Sequence, residues 1–557
     1  RFGNCNGSKM LQRWKESYKV QSAAIFKGRY CIDFVFYCVW CSCYPEQNLF
    51  LGGVHMRIVF TDEMKKIDKY CEETLGLNTI ALMENAASSI KDCVVNHAGN
   101  SKRIVAICGG GNNGADGLAA LRKLGNLGYS VNAIMVGEKA NENVELHRRI
   151  LEKENVEMHK AKSCDIDFVL KDCDVILDCI FGIGFKGEIG EEPARVIDCI
   201  NRSGKLIISV DMPSGVYGDS GKVSHYCVKA DITVVLSDLK TGNVIYPGRE
   251  YCGKLYVSDI GIPSFVKKMF AGNNEYLDEG FNLSNIVGNR EKDTHKGDYG
   301  KICVVAGSRG MTGAAMLCAE SALRSGAGYV FMLSPAGLLT VFESVLREPV
   351  KIPIGDNDDG FFREEHIEEV LKYVLTCDSV VIGPGLGIRE TTKVFVRRLI
   401  SELKNKDVKV ILDADGINAF EGRSNELAGE NIVITPHYVE FSRLTGSSLG
   451  DRIKDAGYFN DKGIITVLKG ASTITSSKAS FTVNGTGNPG MAVCGSGDVL
   501  CGIIAAFATR MNLYDAARYG VLVHGLCGDK ARELYGEESM LSGDLINMLP
   551  QVLRIDW

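Results

Sequence analysis

The chain has 557 residues and a formal net charge of −6, with 45% hydrophobic and 24% charged residues. That length exceeds what one core can organise, so a globular protein of two or more domains is expected. The acidic balance excludes the basic footprint of a nucleic-acid binder.

Residues 1–55 differ in character from the remainder of the chain. The run Cys31-Ile32-Asp33-Phe34-Val35-Phe36-Tyr37-Cys38-Val39-Trp40-Cys41 is apolar, but it is shorter than a membrane span and carries Asp33. No membrane contact is expected, and no clear small-residue cleavage site of a signal peptide precedes the first domain. Cys38, Cys41 and Cys43 form C-x-x-C-x-C without the second pair that a metal site uses. The segment reads as an extension of no assigned role. Twenty cysteines occur in all, scattered through regular runs as Cys108, Cys303, Cys318 and Cys501 are. Reduced core thiols and a cytoplasmic location are expected.

From Met56 onward, strand-like and helix-like runs alternate. Arg103-Ile104-Val105-Ala106-Ile107-Cys108, Val131 to Val136, Val175 to Asp178 and Leu206 to Asp211 read as buried parallel strands ending in glycines or an acid. They imply a doubly wound α/β domain, with ligands at the carboxyl ends of its strands. After the first strand comes Gly109-Gly110-Gly111-Asn112-Asn113-Gly114-Ala115-Asp116-Gly117. Its G-x-G-x-x-G raises a nicotinamide-dependent dehydrogenase, with Glu138 as the ribose acid. The paired Asn residues and Asp116 go beyond that fingerprint. Amide carbonyls suit a cation, and glycine N–H groups suit a pyrophosphate. Two further strand ends carry Asp178-Cys179-Ile180-Phe181-Gly182-Ile183-Gly184-Phe185-Lys186-Gly187-Glu188 and Val210-Asp211-Met212-Pro213-Ser214-Gly215. Each alone is no more than a strand-ending turn. The domain closes near Pro263, and Ala271-Gly272-Asn273-Asn274-Glu275 reads as an exposed polar linker.

A second alternating series begins at Lys301-Ile302-Cys303-Val304-Val305-Ala306 and passes through Ser379 to Ile382, Val408 to Asp413, Ile432 to Thr435 and Ile464 to Leu468. Its loops carry Gly307-Ser308-Arg309-Gly310-Met311-Thr312-Gly313-Ala314, Gly383-Pro384-Gly385-Leu386-Gly387, Asp413-Ala414-Asp415-Gly416, Thr435-Pro436-His437-Tyr438-Val439-Glu440 and Lys469-Gly470-Ala471-Ser472-Thr473. Near the end, Asn488-Pro489-Gly490-Met491-Ala492-Val493-Cys494-Gly495-Ser496-Gly497-Asp498 opens into an apolar run. A glycine turn there aims backbone N–H groups at an anion on the positive end of a helix. Asp498 beside it can accept a hydroxyl proton during phosphoryl transfer.

The three motifs of the first half resemble, in order, the NAD(P)H-hydrate epimerase family over about residues 56–263, and so imply a Rossmann-like domain. The resemblance implies that Asn112, Asn113, Gly114, Ala115 and Asp116, with residues Gly182, Ile183, Gly184, Phe185, Lys186, Gly187 and Glu188, hold the substrate. It implies that Asp211 contacts the reacting nicotinamide ring, and that Asn113, Asp178 and Ser214 bind potassium. Ala115 stands where the family usually has Gly, tolerable if its φ is negative.

The second half resembles the ADP-dependent NAD(P)H-hydrate dehydratase family, whose fold is ribokinase-like, from about Thr294 to Leu553. By that resemblance Lys469, Gly470, Ala471, Ser472, Thr473, Gly495, Ser496 and Gly497 bind the adenine nucleotide, with Mg2+ expected alongside. Ala314, Gly385, Gly387, His437 and Asp498 contact the hydrated cofactor, and Asp498 is the catalytic base. Cys494 replaces a common Gly. A bifunctional repair enzyme is therefore expected. Residues 56–270 would interconvert R and S hydrates of NADH and NADPH (NADHX and NADPHX), and residues 276–557 would dehydrate the S form with ADP. The alternatives are a ribokinase-superfamily small-molecule kinase fused to a Rossmann-like module, and a non-catalytic dinucleotide sensor. A homo-oligomer is expected.

Overall fold

Apolar runs bounded by glycine turns become the parallel strands of two sheets, because strands covered by helices on both faces are apolar along their whole length. The computed structural model describes residues 56–99, 101–288, 290–356, 360–447 and 450–554. The extension and its Cys38, Cys41 and Cys43 lie outside the described residues.

The first sheet has seven strands, all parallel. In spatial order they are Glu157–Lys160, Ser130–Met135, Arg103–Cys108, Val175–Cys179, Leu206–Val210, Ile232–Leu236 and Lys254–Ser258. The order of strands across the sheet reverses between Arg103–Cys108 and Val175–Cys179, the switch point at which such sheets open a crevice. Helix Asn112–Asn126 rises from that point. The glycine loop before it permits close approach: a Cβ on Gly109 would lie 2.1 Å from the Ile180 carbonyl oxygen.

The second half supplies seven parallel strands, in spatial order Val350–Ile354, Tyr329–Pro335, Lys301–Val305, Ser379–Ile382, Lys409–Leu412, Ile432–Ile434 and Ile465–Leu468. Helix Ser496–Ala508 lies almost wholly buried on one face, which explains its apolar sequence. Beyond Ile465–Leu468 the sheet continues through Ile474–Ser476, Phe481–Asn484, Glu275–Leu277, Met56–Val59 and Leu239–Lys240. The last of these come from the first half.

The expected exposed linker at residues 271–275 is therefore corrected. Asn274 is buried; its Oδ1 accepts from Phe481 N at 3.1 Å and its carbonyl from Ile58 N at 2.9 Å. Glu275 opens a strand and pairs with Arg518. These polar side chains read as solvated, yet they satisfy backbone and charge where two sheet segments join. The join is also apolar. Ile58, Leu239, Val244 and Ile245 share one buried cluster with Leu412, Leu468 and Val483. Each such side chain contributes about 1.5–3 kcal/mol.

Candidate active sites

At the switch point of the first sheet lies a cavity of about 860 Å³. Asn112, Asn113 and Asp116 line it from one helix, Gly182, Ile183, Gly184 and Phe185 from the second glycine loop, and Asp211 from a third strand end. Gly114 and Ala115 sit behind the wall, buried in the helix. Ala115 has a negative, helical φ, so its methyl is accommodated. Lys186, Gly187 and Glu188 are exposed and fall outside the cavity wall.

Asp211 adopts a left-handed φ of +65°, a conformation that costs energy and persists where surrounding contacts enforce it. Its Oδ1 accepts from Leu236 N at 3.2 Å and from Lys240 Nζ at 2.5 Å. Lys240 is 1% exposed and gives a second bond to the Leu236 carbonyl. Asn243 binds both, accepting from Lys240 N and donating to the Asp211 carbonyl. Asp116, buried on the same cavity, has its carboxyl held well above the usual range by burial, then by Asp211 and Asp68.

Behind the wall, Asp178 accepts from Ser209 Oγ at 2.7 Å, Ser214 N at 2.9 Å and Ser214 Oγ at 2.6 Å. Burial raises its pKa, and the bonds from Ser214 and Ser209 pull it part of the way back. Asn113 Nδ2 donates to the Phe181 carbonyl at 3.0 Å, and Ser214 Oγ accepts from Phe181 N at 2.9 Å. Thus Asn113, Asp178 and Ser214 do converge, around Phe181. Asn113 Oδ1 is buried there with no hydrogen-bond partner. Asn112, by contrast, is tied to the next loop, accepting from Asn141 Nδ2 at 2.7 Å.

In the second half, helix Ser496–Ala508 begins at Gly495, whose φ is +93°. Its first-turn N–H groups have no acceptor four residues back. Asp498 lies in that turn. Burial raises its carboxyl to about 7, with Asp413, Asp415 and Glu440 adding to the rise and Lys469 opposing it. Lys469 Nζ donates to Asp413 Oδ1 at 2.8 Å and lies 3.9 Å from Glu440 Oε2. Burial would raise the Asp413 carboxyl, but the Lys469 charge overrides it and leaves the pKa lowered. Gly497 packs here: a Cβ would stand 3.2 Å from Lys469 Nζ.

Gly385 and Ala314 adjoin, with a Cβ on Gly385 3.2 Å from that of Ala314. Gly387 N donates to Asp415 Oδ2 at 2.8 Å. His437 caps helix Tyr438–Thr445: its Nδ1 accepts from Val439 N and Glu440 N. That places the imidazole proton on Nε2, 3.5 Å from Glu440 Oε1.

Two hydroxyls of these loops are engaged within the protein. Ser472 Oγ is buried and donates to the Val244 carbonyl in the first half at 2.8 Å. Ser496 Oγ meets the buried His524 Nε2 at 3.3 Å. Thr473 Oγ1 closes its own turn onto the Gly470 carbonyl, while Ala471 is exposed. Cys494 has no positive φ, so its side chain fits the turn. Lys240 and Asp68 in the first site were not expected, since an isolated charge on an amphipathic segment reads as a solvated face.

Family comparisons agree with this division. The NAD(P)H-hydrate dehydratase family matches residues 302–551, and the YjeF-related protein N-terminus family matches residues 79–242. A bifunctional NAD(P)H-hydrate repair enzyme of Thermofilum pendens is 36% identical, over 90% of this chain and 96% of that protein. One from Moorella thermoacetica is 34% identical over 90% of this chain and 97% of its own length. Among solved structures, an ADP/ATP-dependent NAD(P)H-hydrate dehydratase of Bacillus subtilis, co-crystallised with ATP and Mg2+, is 27% identical over 48% of this chain and 94% of that one, with a TM-score of 0.42. A ribokinase-like superfamily protein of Enterococcus faecalis is 24% identical, covers 50% of this chain and 95% of that one, and has a TM-score of 0.45. Similarity that runs through both halves, over nearly the full length of these relatives, places the chain among the bifunctional NAD(P)H-hydrate repair enzymes, with an epimerase half and a dehydratase half.

Proposed function

We propose that the cavity around Asp211 interconverts the R and S epimers of NADHX and NADPHX, and that the Asp498 turn dehydrates the S epimer with ADP. Residues 56–270 and 276–557 carry these two steps. The observation that carries the second step is Asp498 at the first turn of a helix, beside Lys469 and Asp413.

The hydrated ring bears a hydroxyl next to its nitrogen. Hydroxide leaves poorly, and phosphate leaves well. Asp498 accepts the hydroxyl proton as that oxygen attacks the terminal phosphorus of the nucleotide, whose bridging P–O bond breaks. Backbone N–H groups of residues 495–497 and the Lys469 ammonium hold the phosphate charge. The ring nitrogen lone pair then expels phosphate, and loss of the neighbouring C–H proton restores the dihydronicotinamide. Mg2+ would arrive on the nucleotide phosphates and neutralise their charge. Incubating the protein with mixed NADHX epimers and ADP, and following NADH absorbance, tests the reading. Full recovery is expected, and accumulation of a stable phosphorylated product would point instead to a small-molecule kinase.

The residues around Phe181 fit a monovalent cation. Asn113 Oδ1 is an orphaned buried acceptor, the Phe181 carbonyl is next to it, and Asp178 supplies negative charge behind them. Neutral oxygens with one carboxylate suit potassium better than a small, strongly hydrated magnesium ion. Such an ion would fix the second glycine loop against the substrate phosphates. Crystals grown with rubidium should show an anomalous peak beside Asn113 Oδ1, and a substrate-bound crystal without one would exclude the site. Among the described residues no helix is long and apolar enough to cross a membrane. Every cysteine there is a free thiol, and nearly all are buried, as in proteins of a reducing compartment; this supports a cytoplasmic location.

A further inference from the structure

The two epimers differ in which face of the ring carries the hydroxyl. Inverting that carbon therefore requires protons to be given and taken on two sides of the substrate. This holds for either route. In ring opening, a base takes the hydroxyl proton as the C–N bond breaks, and the nitrogen receives a proton. The aldehyde then turns, and the steps reverse on the other face. In water loss, an acid protonates the departing hydroxyl while the nitrogen lone pair forms an iminium, and water re-adds opposite, surrendering a proton. One carboxylate at one strand end does not serve both sides.

We propose that Asp68, on helix Thr61–Glu73, is a second catalytic acid–base residue of the epimerase, working in the same cavity as the Asp211–Lys240 pair but from a different element. Among the described residues its carboxyl makes no hydrogen bond, although it feels the charges of Lys240, Asp211 and Glu72. Asp116, 7% exposed and also without a hydrogen-bond partner among the described residues, faces the same space. Three carboxyl groups thus share one cavity, with the buried Lys240 ammonium bonded to Asp211 and acting on Asp68.

Such a cluster cannot be fully ionised without strong repulsion, so it retains a proton. Burial raises Asp68 to about 6, with Lys240 opposing and Asp211 and Glu72 reinforcing. Burial, then Asp211 and Asp68, push the Asp116 carboxyl up as well. Asp68 therefore exchanges its proton near pH 6. Lys65, Lys69 and Glu72 of the same helix also line the cavity. Lys65 is paired with Asp62 and Lys69 with Glu73, which leaves Lys240 as the cation at Asp211.

This inference rests on the epimerase reading of the cavity, and the experiment separates the two. Purified full-length protein is given R-NADHX without nucleotide, and conversion to S is measured against spontaneous epimerisation. Absence of catalysis by the unmodified protein would sink the reading of the cavity itself. If the protein is active, Asp68→Asn should lose about 10²-fold in epimerase kcat with little change in KM. Dehydration of S-NADHX with ADP by the same preparation should be unchanged, which establishes folding. Asp68→Glu should recover part of the rate. The unmodified enzyme should lose epimerase activity as pH rises through a limb at or above about 6, where the stored proton leaves, and Asp68→Asn should lack that limb. A wild-type rate or an unaltered limb in Asp68→Asn, with dehydration intact, would overturn the proposal.

Discussion

Replacing Asp498 with Asn is expected to abolish dehydration of the S epimer, leave epimerisation intact, and make the protein more stable above pH 7. A positioned base contributes about 10²- to 10⁴-fold in rate, and Asn keeps the shape without accepting a proton. The dehydratase rate of the unmodified enzyme should rise with pH through about 7, where Asp498 ionises; the residual rate of Asp498→Asn should lack that limb. The stability change has a definite sign. The folded pKa of about 7 exceeds the unfolded value of about 3.9. Between those values the folded state binds more protons, so stability falls as pH rises from about 4 to 7. At about 1.4 kcal/mol per unit the penalty is at most about 4 kcal/mol, and solvent reaching the group reduces it. Asn carries no such penalty. Melting curves at pH 8 should place the variant above the parent, with the gap shrinking at pH 5. A variant that turns over normally would remove Asp498 from the mechanism.

Lys240→Met should act in the opposite sense on the other half. Lys240 is 1% exposed and lies on Asp211. Its loss leaves Asp211, Asp68 and Asp116 in one cavity without the ammonium bonded to Asp211. Breaking a buried pair by removing one partner typically costs about 3–5 kcal/mol, and here the cost is relieved as the cavity takes up protons. Epimerisation should fall at least about 10²-fold, with the melting temperature lowered most at high pH, where the carboxylates must ionise. Dehydration, measured on S-NADHX with ADP, reports whether the remainder has folded. Retained epimerisation in this variant would mean that Asp211 acts without its buried partner.

The parallel strands were legible because burial on both faces leaves near-continuous apolar runs, and glycine turns mark where they end. Asn113, Asp178 and Ser214 meet as their motifs implied, since three neighbouring strand ends can only converge at one edge. What the sequence left unstated was side-chain direction. Ser472 and Ser496 belong to nucleotide-like loops, yet their hydroxyls turn to Val244 and His524. A motif specifies the backbone of a loop more firmly than where each hydroxyl points. The stretch at 271–275 failed for a related reason. Polarity signals exposure only when no buried partner awaits, and Asn274 has Phe481 N and Ile58 N. Asp68 and Lys240 acquire meaning only when helix, strand and cavity are brought together.

The shared sheet also sets an order of events during synthesis. Strand Glu275–Leu277 pairs on one side with Met56–Val59, available early, and on the other with Phe481–Asn484. Roughly 200 residues separate the second pair, which at about 5–20 residues per second is a wait of about 10–40 s. For that interval the growing chain presents a strand edge with unpaired N–H and carbonyl groups, the kind that templates association between chains. The nascent protein is therefore most exposed to misassembly on the ribosome between completion of its first half and emergence of Phe481–Asn484, and a ribosome stalled in that window would release a chain able to pair with its own kind.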